Sequence, residues 1–305
     1  MGLSYESFDE RFFDVVDVKQ DLATVCSGFT FIEGPIWNDV TGCLTFNDIP
    51  ESRTYRLEQG KTVRLLREDT HKANGNAYDM DDNIIVCEHV RSCISRTNDQ
   101  GENLEVLVSH YRDKELNSPN DVVVRSDGVI FFTDPRFGRN PSRVGLERPQ
   151  ELDFQGVFSF DPGTGELKLL ADDFENPNGL CFSPDEAFLY VNDSPKKHIR
   201  KFRVEADGTG AVWAETTGEG AGLPDGMKTD SRENVYCCAQ GGIHIFNKNA
   251  DYLGIIKVPE QTGNCAFGGP DMDILYLAAS TTLYSFRIKG RADKNGRKIL
   301  NGQGK

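Results

Sequence analysis

Ser118-Pro-Asn-Asp-Val-Val-Val-Arg-Ser-Asp-Gly-Val-Ile-Phe-Phe-Thr-Asp-Pro-Arg-Phe-Gly138 reads as a β-hairpin, and its reading decides the fold. Residues 121–125 and 129–133 are short Val, Ile and Phe runs with period-two polarity, and Ser126-Asp127-Gly128 supplies the turn between them. A hairpin with its turn at one end gathers whatever stands at its other end. Asn120 and Asp121 lead into the first strand; Asp134 and Arg136 leave the second. Four polar side chains are therefore expected together at the open end.

The unit recurs along the chain. An Asp- or Asn-containing turn, an apolar strand, a polar patch and a further strand are found at residues 37–49 with 54–57, and at 79–89 with 93–96. The hairpin quoted above pairs with 156–160. Later copies lie at 183–192 with 199–202, at 230–238 with 242–246, and at 269–277 with 282–286. Six copies spaced by roughly 40–60 residues match the period of β-propeller blades. One four-stranded blade cannot bury both of its faces, whereas six set radially bury one another. No amphipathic helix of ordinary length separates the copies, which excludes a parallel α/β sheet or barrel. The fold class is all-β, a six-bladed β-propeller with an N-terminal strand closing the last blade and so hiding two sheet edges. Phe13–Val18 is the stretch expected to do this. Residues 1–290 form the single propeller domain, and 291–305 a polar C-terminal tail. Residues 137–155 are the longest insertion and either cover one mouth of the channel as a lid or run over the surface.

Composition narrows the function. The 305 residues carry 34 Lys+Arg against 48 Asp+Glu, a net charge of −14. That balance disfavours nucleic acid and anionic membranes as partners, and suits a protein that handles a cation or a neutral ligand. No run of 18 apolar residues is present, and the first residues lack the basic and apolar regions of a secretory signal. The eight cysteines have no metal-binding spacing and read as small buried hydrophobes in a reducing compartment. A cytoplasmic monomer or homodimer is expected.

Four short motifs precede the first strands of four blades: Phe31-Ile-Glu33-Gly-Pro, Ser118-Pro-Asn120-Asp121, Asn176-Pro-Asn178-Gly and Leu223-Pro-Asp225-Gly. In a propeller the strands nearest the axis all begin at one face. Glu33, Asn120, Asn178 and Asp225 should therefore converge at the channel mouth. Two carboxylates and two amides offer four oxygen donors for a hard divalent cation, calcium first, with magnesium, manganese or zinc as alternatives. Each motif by itself also serves as an ordinary Asx or Pro turn. Around this quartet, Asn74, His89, Asp121, Asp134 and Arg136 are candidates for substrate contact or for orienting the ligands. There is no Gly-x-Ser-x-Gly elbow and no phosphate loop.

These motifs, in this order, resemble the gluconolactonase/regucalcin (senescence-marker-protein) family, on its bacterial gluconolactonase-like branch. The likeness runs from Glu33-Gly-Pro to Phe267-Gly-Gly-Pro-Asp271 and includes Asn74-Gly, Phe132-Thr-Asp-Pro135, Ser183-Pro-Asp185 and Pro224-Asp-Gly-Met227. The resemblance implies one divalent metal at Glu33, Asn120, Asn178 and Asp225, with Asp225 also the general base. Ser118 stands where regucalcin has an Arg, so that branch's substrate contacts do not carry over. The implied activity is metal-dependent opening of a sugar-derived aldonolactone. Asp225 would act either as base towards water or as nucleophile. An aryl-ester or phosphotriester hydrolase using the same site, or a non-catalytic calcium-binding protein, are the alternatives.

Overall fold

A computed structural model describes residues 2–58, 62–205 and 210–292. Six antiparallel sheets follow one another along the chain as blades 1 to 6. Their innermost strands are Ile32–Asn38, Ala73–Tyr78, Val122–Val124, Pro177–Phe182, Met227–Thr229 and Thr262–Gly268. Each is followed outward by its hairpin partner. In blade 3, for example, Val122–Val124 pairs with Ile130–Asp134, which pairs in turn with Gly156–Asp161 and then Glu166–Ala171. The hairpin read from the sequence is present, with Val122 opposite Phe132.

Apolar side chains from facing sheets fill every gap between neighbouring blades. Ile36 and Ala73 meet between blades 1 and 2, and Ile85, Val122 and Phe132 between blades 2 and 3. Phe131 and Leu180 join blades 3 and 4, and Tyr190 and Phe246 join blades 4 and 5. Tyr236 and Phe267 join blades 5 and 6, and Ala278 and Phe46 close the ring back to blade 1. Strands buried on both faces explain the near-continuous apolar runs of the sequence.

The ring is closed by the N-terminus, but not by Phe13–Val18. The closing strand is Ala23–Ser27, which pairs with Thr282–Arg287 as the outer strand of blade 6. Phe12–Val15 forms one helical turn instead. Phe12, Val15 and Val16 are all buried, and their i, i+3, i+4 spacing is that of a helical face. Upstream, Ser4–Ser7 adds a fifth strand to blade 5 against Tyr252–Lys257, covering that sheet's edge. Arg291 and Ala292 still pack on the propeller: Ser231 donates its N–H to the Arg291 carbonyl, and Ala292 donates to that of Met272. The rest of the expected tail lies outside the described residues.

Candidate active site at the channel mouth

A repeated device builds this end of the channel. In blades 1, 3 and 4 the second strand ends in Asn47-Asp48, Thr133-Asp134 and Asn192-Asp193. The Asp accepts two backbone N–H groups from the segment leading into its own blade's inner strand. Asp48 takes Thr30 and Phe31, Asp134 takes Asn117 and Ser118, and Asp193 takes Glu175 and Asn176, at 2.7–3.0 Å. The residue before the Asp reaches into the next blade. Asn47 donates to the Asn74 carbonyl at 2.7 Å, Thr133 to that of Asn178 at 2.7 Å, and Asn192 to that of Asp225 at 2.5 Å. Each of these three blades thus fixes its own inner-strand opening and that of its neighbour.

Glycines let these openings crowd the axis. A Cβ at Gly34 would stand 2.0 Å from the Asn74 carbonyl oxygen, and Gly34 also has a φ of +57°. A Cβ at Gly179 would lie 2.1 Å from the Asp225 carbonyl oxygen, and one at Gly263 would lie 2.1 Å from Glu33 Oε1. Only a hydrogen fits at these contacts. The strand register also shifts just beyond Glu33, Ala73, Pro177 and Thr262, so irregular backbone re-aims the side chains there.

The sequence-chosen residues lie around this opening. Glu33, Asn120, Asp121 and Asn178 are buried, and Asp225 is partly exposed. Glu33 Oε2 accepts the Gly34 N–H at 2.9 Å. Burial pushes the Glu33 carboxyl up to about 8, with Asp121 adding to the rise. Burial, then the charges of Glu33 and Asp121, push Asp225 well above the carboxylate range, while the Asn178 amide favours its ionised form. Asn178 Nδ2 donates to Ser194 Oγ at 3.0 Å, and Ser194 Oγ donates to the Pro224 carbonyl at 2.6 Å. Asn178 Oδ1 and Asp121 Oδ2 are buried with no hydrogen-bond partner.

Mutually repelling carboxylates beside an orphaned amide oxygen fit a hard divalent cation. Among the described residues no three His, Cys, Asp or Glu side chains stand together as a metal cluster. The amide oxygens of Asn120 and Asn178 would therefore have to complete the donor set.

The remaining candidates divide by environment. His89 is fully buried, and burial lowers it to about 4. Its Nδ1 faces the Val144 carbonyl at 2.9 Å, which only accepts, so Nδ1 carries the proton. Nε2 is then the acceptor for Asn74 Nδ2 at 3.1 Å. Neutral His89 thus fixes the orientation of Asn74. Asp134 has both oxygens taken by backbone N–H groups, and burial holds its carboxyl near 7. It positions the segment before Asn120. Arg136 is exposed, with its backbone N–H held by Gln155 Oε1 at 2.8 Å. The buried arginine of the insertion is Arg139, which hydrogen-bonds the Asn117 and Leu116 carbonyls and pairs with Glu115.

The insertion at 137–155 lies on this same face. Arg148 donates to the His89 carbonyl and to Ser92 Oγ, both at 2.8 Å. Lys72 Nζ donates to the Arg143 carbonyl at 2.9 Å, and the Arg143 guanidinium sits 4.0 Å from the Phe31 ring centre. The segment therefore crosses from blade 3 over blade 2 to blade 1.

Sequence reading missed Asn264, Lys228 and Ser194. Asn264 stands beside both Glu33 and Asp121 and favours their ionised forms. It stands in Thr262-Gly-Asn264, an amide beside a glycine at the start of the sixth inner strand. The same amide-and-glycine pattern as in the other motifs stands there. Ser194 and Lys228 carry no such signal, because only the blade packing brings them to the axis.

Residues 31–281 match the family described as the SMP-30/Gluconolactonase/LRE-like region. The chain is 29% identical over 308 residues to a gluconolactonase of Zymomonas mobilis subsp. mobilis, covering 92% of this chain and 85% of that protein. A solved gluconolactonase from Xanthomonas campestris superposes with a TM-score of 0.86 at 30% identity, over 93% of this chain and 94% of the other. A calcium-binding regucalcin from Agrobacterium tumefaciens shares the fold, with a TM-score of 0.75 at 17% identity, over 91% and 97%. With most of its length matched and its blades superposable on a solved member, the chain belongs to the SMP-30/gluconolactonase/LRE-like family.

Proposed function

We propose that this protein opens a sugar-derived aldonolactone to the aldonic acid, using one divalent cation held by Glu33, Asn120, Asn178 and Asp225. The coarser statement stands on the family and its lactone-hydrolysing relatives: the chain is a lactone hydrolase. The observation that carries the finer reading is the meeting of Glu33 and Asp225 beside the unpartnered Asn178 Oδ1. Calcium is the first choice of ion, from the all-oxygen donor set.

When bound, the cation would polarise the ester carbonyl and stabilise the developing oxyanion. The chain's own residues do the rest. Asp225 accepts a proton from the attacking water. Burial and two neighbouring carboxylates raise its basicity, which offsets the acidifying effect of a cation on its ligand. Asn192 and Thr133 hold the Asp225 and Asn178 backbones still. Asn74, oriented by His89, and exposed Arg136 would contact the hydroxyls of a polyhydroxylated substrate. The insertion limits access over blades 1 and 2. One chain supplies every group, so a monomer suffices. Eight free cysteines suit a reducing, cytoplasmic setting.

The test is lactone opening followed with a pH indicator, on EDTA-treated protein with single ions restored, beside Asp225→Ala. Restored opening of aldonolactones, lost in the variant, is expected. Turnover of aryl esters or phosphotriesters alone would replace the substrate class. Ion binding without turnover of any of them would leave a binding protein.

A further inference from the structure

The other end of the channel holds a second cavity. It has a volume of about 230 Å³ and lies where the inner strands finish, towards Trp37, Tyr78, Val124, Phe182 and Phe267. Glu33, Asn178 and Asp225 stand where those strands begin, so this cavity opens on the opposite face. Its wall is mostly apolar, and Lys228 enters it from blade 5.

Lys228 is unusual for its place. Lys228 is half-buried, and a lysine set against apolar walls is rarely left without a partner. Its Nζ donates to the Met227 carbonyl at 3.0 Å. Asp121 is the leading charge that favours its protonated form, but among the described residues no carboxylate pairs with it within 4.0 Å. The acidic residues of the cavity wall are engaged elsewhere. Asp230 accepts from Asn234 and Tyr236, and Glu186 accepts from Ser126. The ammonium thus has donors to spare beside an apolar hollow. That pairing of one convergent cation with apolar walls is the chemistry of a small-ligand pocket.

We propose that this lower cavity binds a small monocarboxylate with an apolar body, its carboxylate on Lys228 and its hydrocarbon or ring against Phe182 and Phe267. The volume lies below that of drug-sized pockets, which limits the body to about one ring or a short alkyl chain. Polyhydroxylated acids, such as the product of lactone opening, are disfavoured by the mostly apolar wall. The cavity lies below the lactone site, with Lys228 between them, since its charge also reaches Glu33 and Asp121; occupancy of the cavity is read without turnover.

The probes are benzoate, hexanoate, gluconate and benzyl alcohol, titrated calorimetrically into the full chain with and without Ca²⁺. Benzoate or hexanoate should bind one to one in both conditions, at least tenfold tighter than benzyl alcohol, with gluconate weaker still. Lys228→Met should lose at least tenfold, Lys228→Arg should keep part of the affinity, and Asp225→Asn should keep all of it. Ala77→Phe fills the cavity with Lys228 intact and should abolish binding, which covers the case of a poorly folded Lys228→Met. Absence of saturable binding overturns the proposal. So does binding that survives both Lys228→Met and Ala77→Phe, or that vanishes with Ca²⁺ removal or in Asp225→Asn, since the carboxylate would then sit at the upper mouth.

Discussion

Replacing Gly263 by Ala tests the upper site at the scale of one atom. The new Cβ would lie 2.1 Å from Glu33 Oε1. Ordinary contact begins at 3.4 Å, so the carboxylate must retreat by about 1 Å or more, a displacement able to cost ~100-fold in rate. Calcium–oxygen bonds span roughly 2.3–2.6 Å, so that shift removes or badly distorts one ligand. Disturbing groups around a metal costs 10–100-fold in affinity, and loss of a ligand should reach at least that: about 1.4–2.8 kcal/mol. The fold should survive. Gly263 has no positive φ, and what yields is the end of a side chain. Gly→Ala also stabilises by about 0.4–1 kcal/mol through the unfolded chain. Gly179→Ala is the contrasting control, since its Cβ meets the Asp225 backbone oxygen at 2.1 Å and two blades must part. Overpacking of that kind costs about 1–3 kcal/mol. Chelator competition for Ca²⁺, aldonolactone turnover and calorimetric melting would be measured on both. Gly263→Ala should lose metal affinity and turnover without a fall in the metal-free melting temperature, whereas Gly179→Ala should lose stability. Gly263→Ala with affinity and turnover within threefold of the parent would refute the assignment of Glu33.

Asn192→Ala removes the donor to the Asp225 carbonyl; it should weaken Ca²⁺ binding about tenfold, and unchanged affinity in the chelator assay would show that the inter-blade contact does not position Asp225. His89→Leu strands the Asn74 amide and should raise KM for the lactone more than it lowers kcat; equal effects would contradict an orienting role. In metal-free protein the Glu33 carboxyl titrates near 8, above its unfolded value, and Asp225 is shifted the same way. The stability of their neutral forms is full below about pH 4.5 and is lost as pH rises to about 8, because the unfolded chain then binds fewer protons than the folded one. The EDTA-treated melting temperature should therefore fall from pH 5 to 8, and saturating Ca²⁺ should flatten that fall; a rise over the same window would contradict it.

The blade count followed from the sequence because propeller strands are local hairpins. Apolar runs, Asp-Gly turns and a regular period report contacts made within a few tens of residues. The acid and amide residues of the mouth were legible for the same reason: each stands just before an inner strand or at its second residue, and radial closure brings such positions to one face. What folds back from a distance was not legible. Phe13–Val18 has strand-like composition, yet Phe12, Val15 and Val16 bury as a helical turn and Ala23–Ser27 closes the ring. Asp134 sits at the mouth as read, but only the structure shows its carboxylate spent on the Asn117 and Ser118 N–H groups. Nor does any local pattern mark Asn192 as holding Asp225, or Lys228 as the cation of a second cavity. Those roles arise between blades, where hydrogen bonds and burial depend on how six sheets meet. The sequence determined the blades and which polar groups begin them; the tertiary structure decided which of those groups are left unsatisfied, and so free to bind.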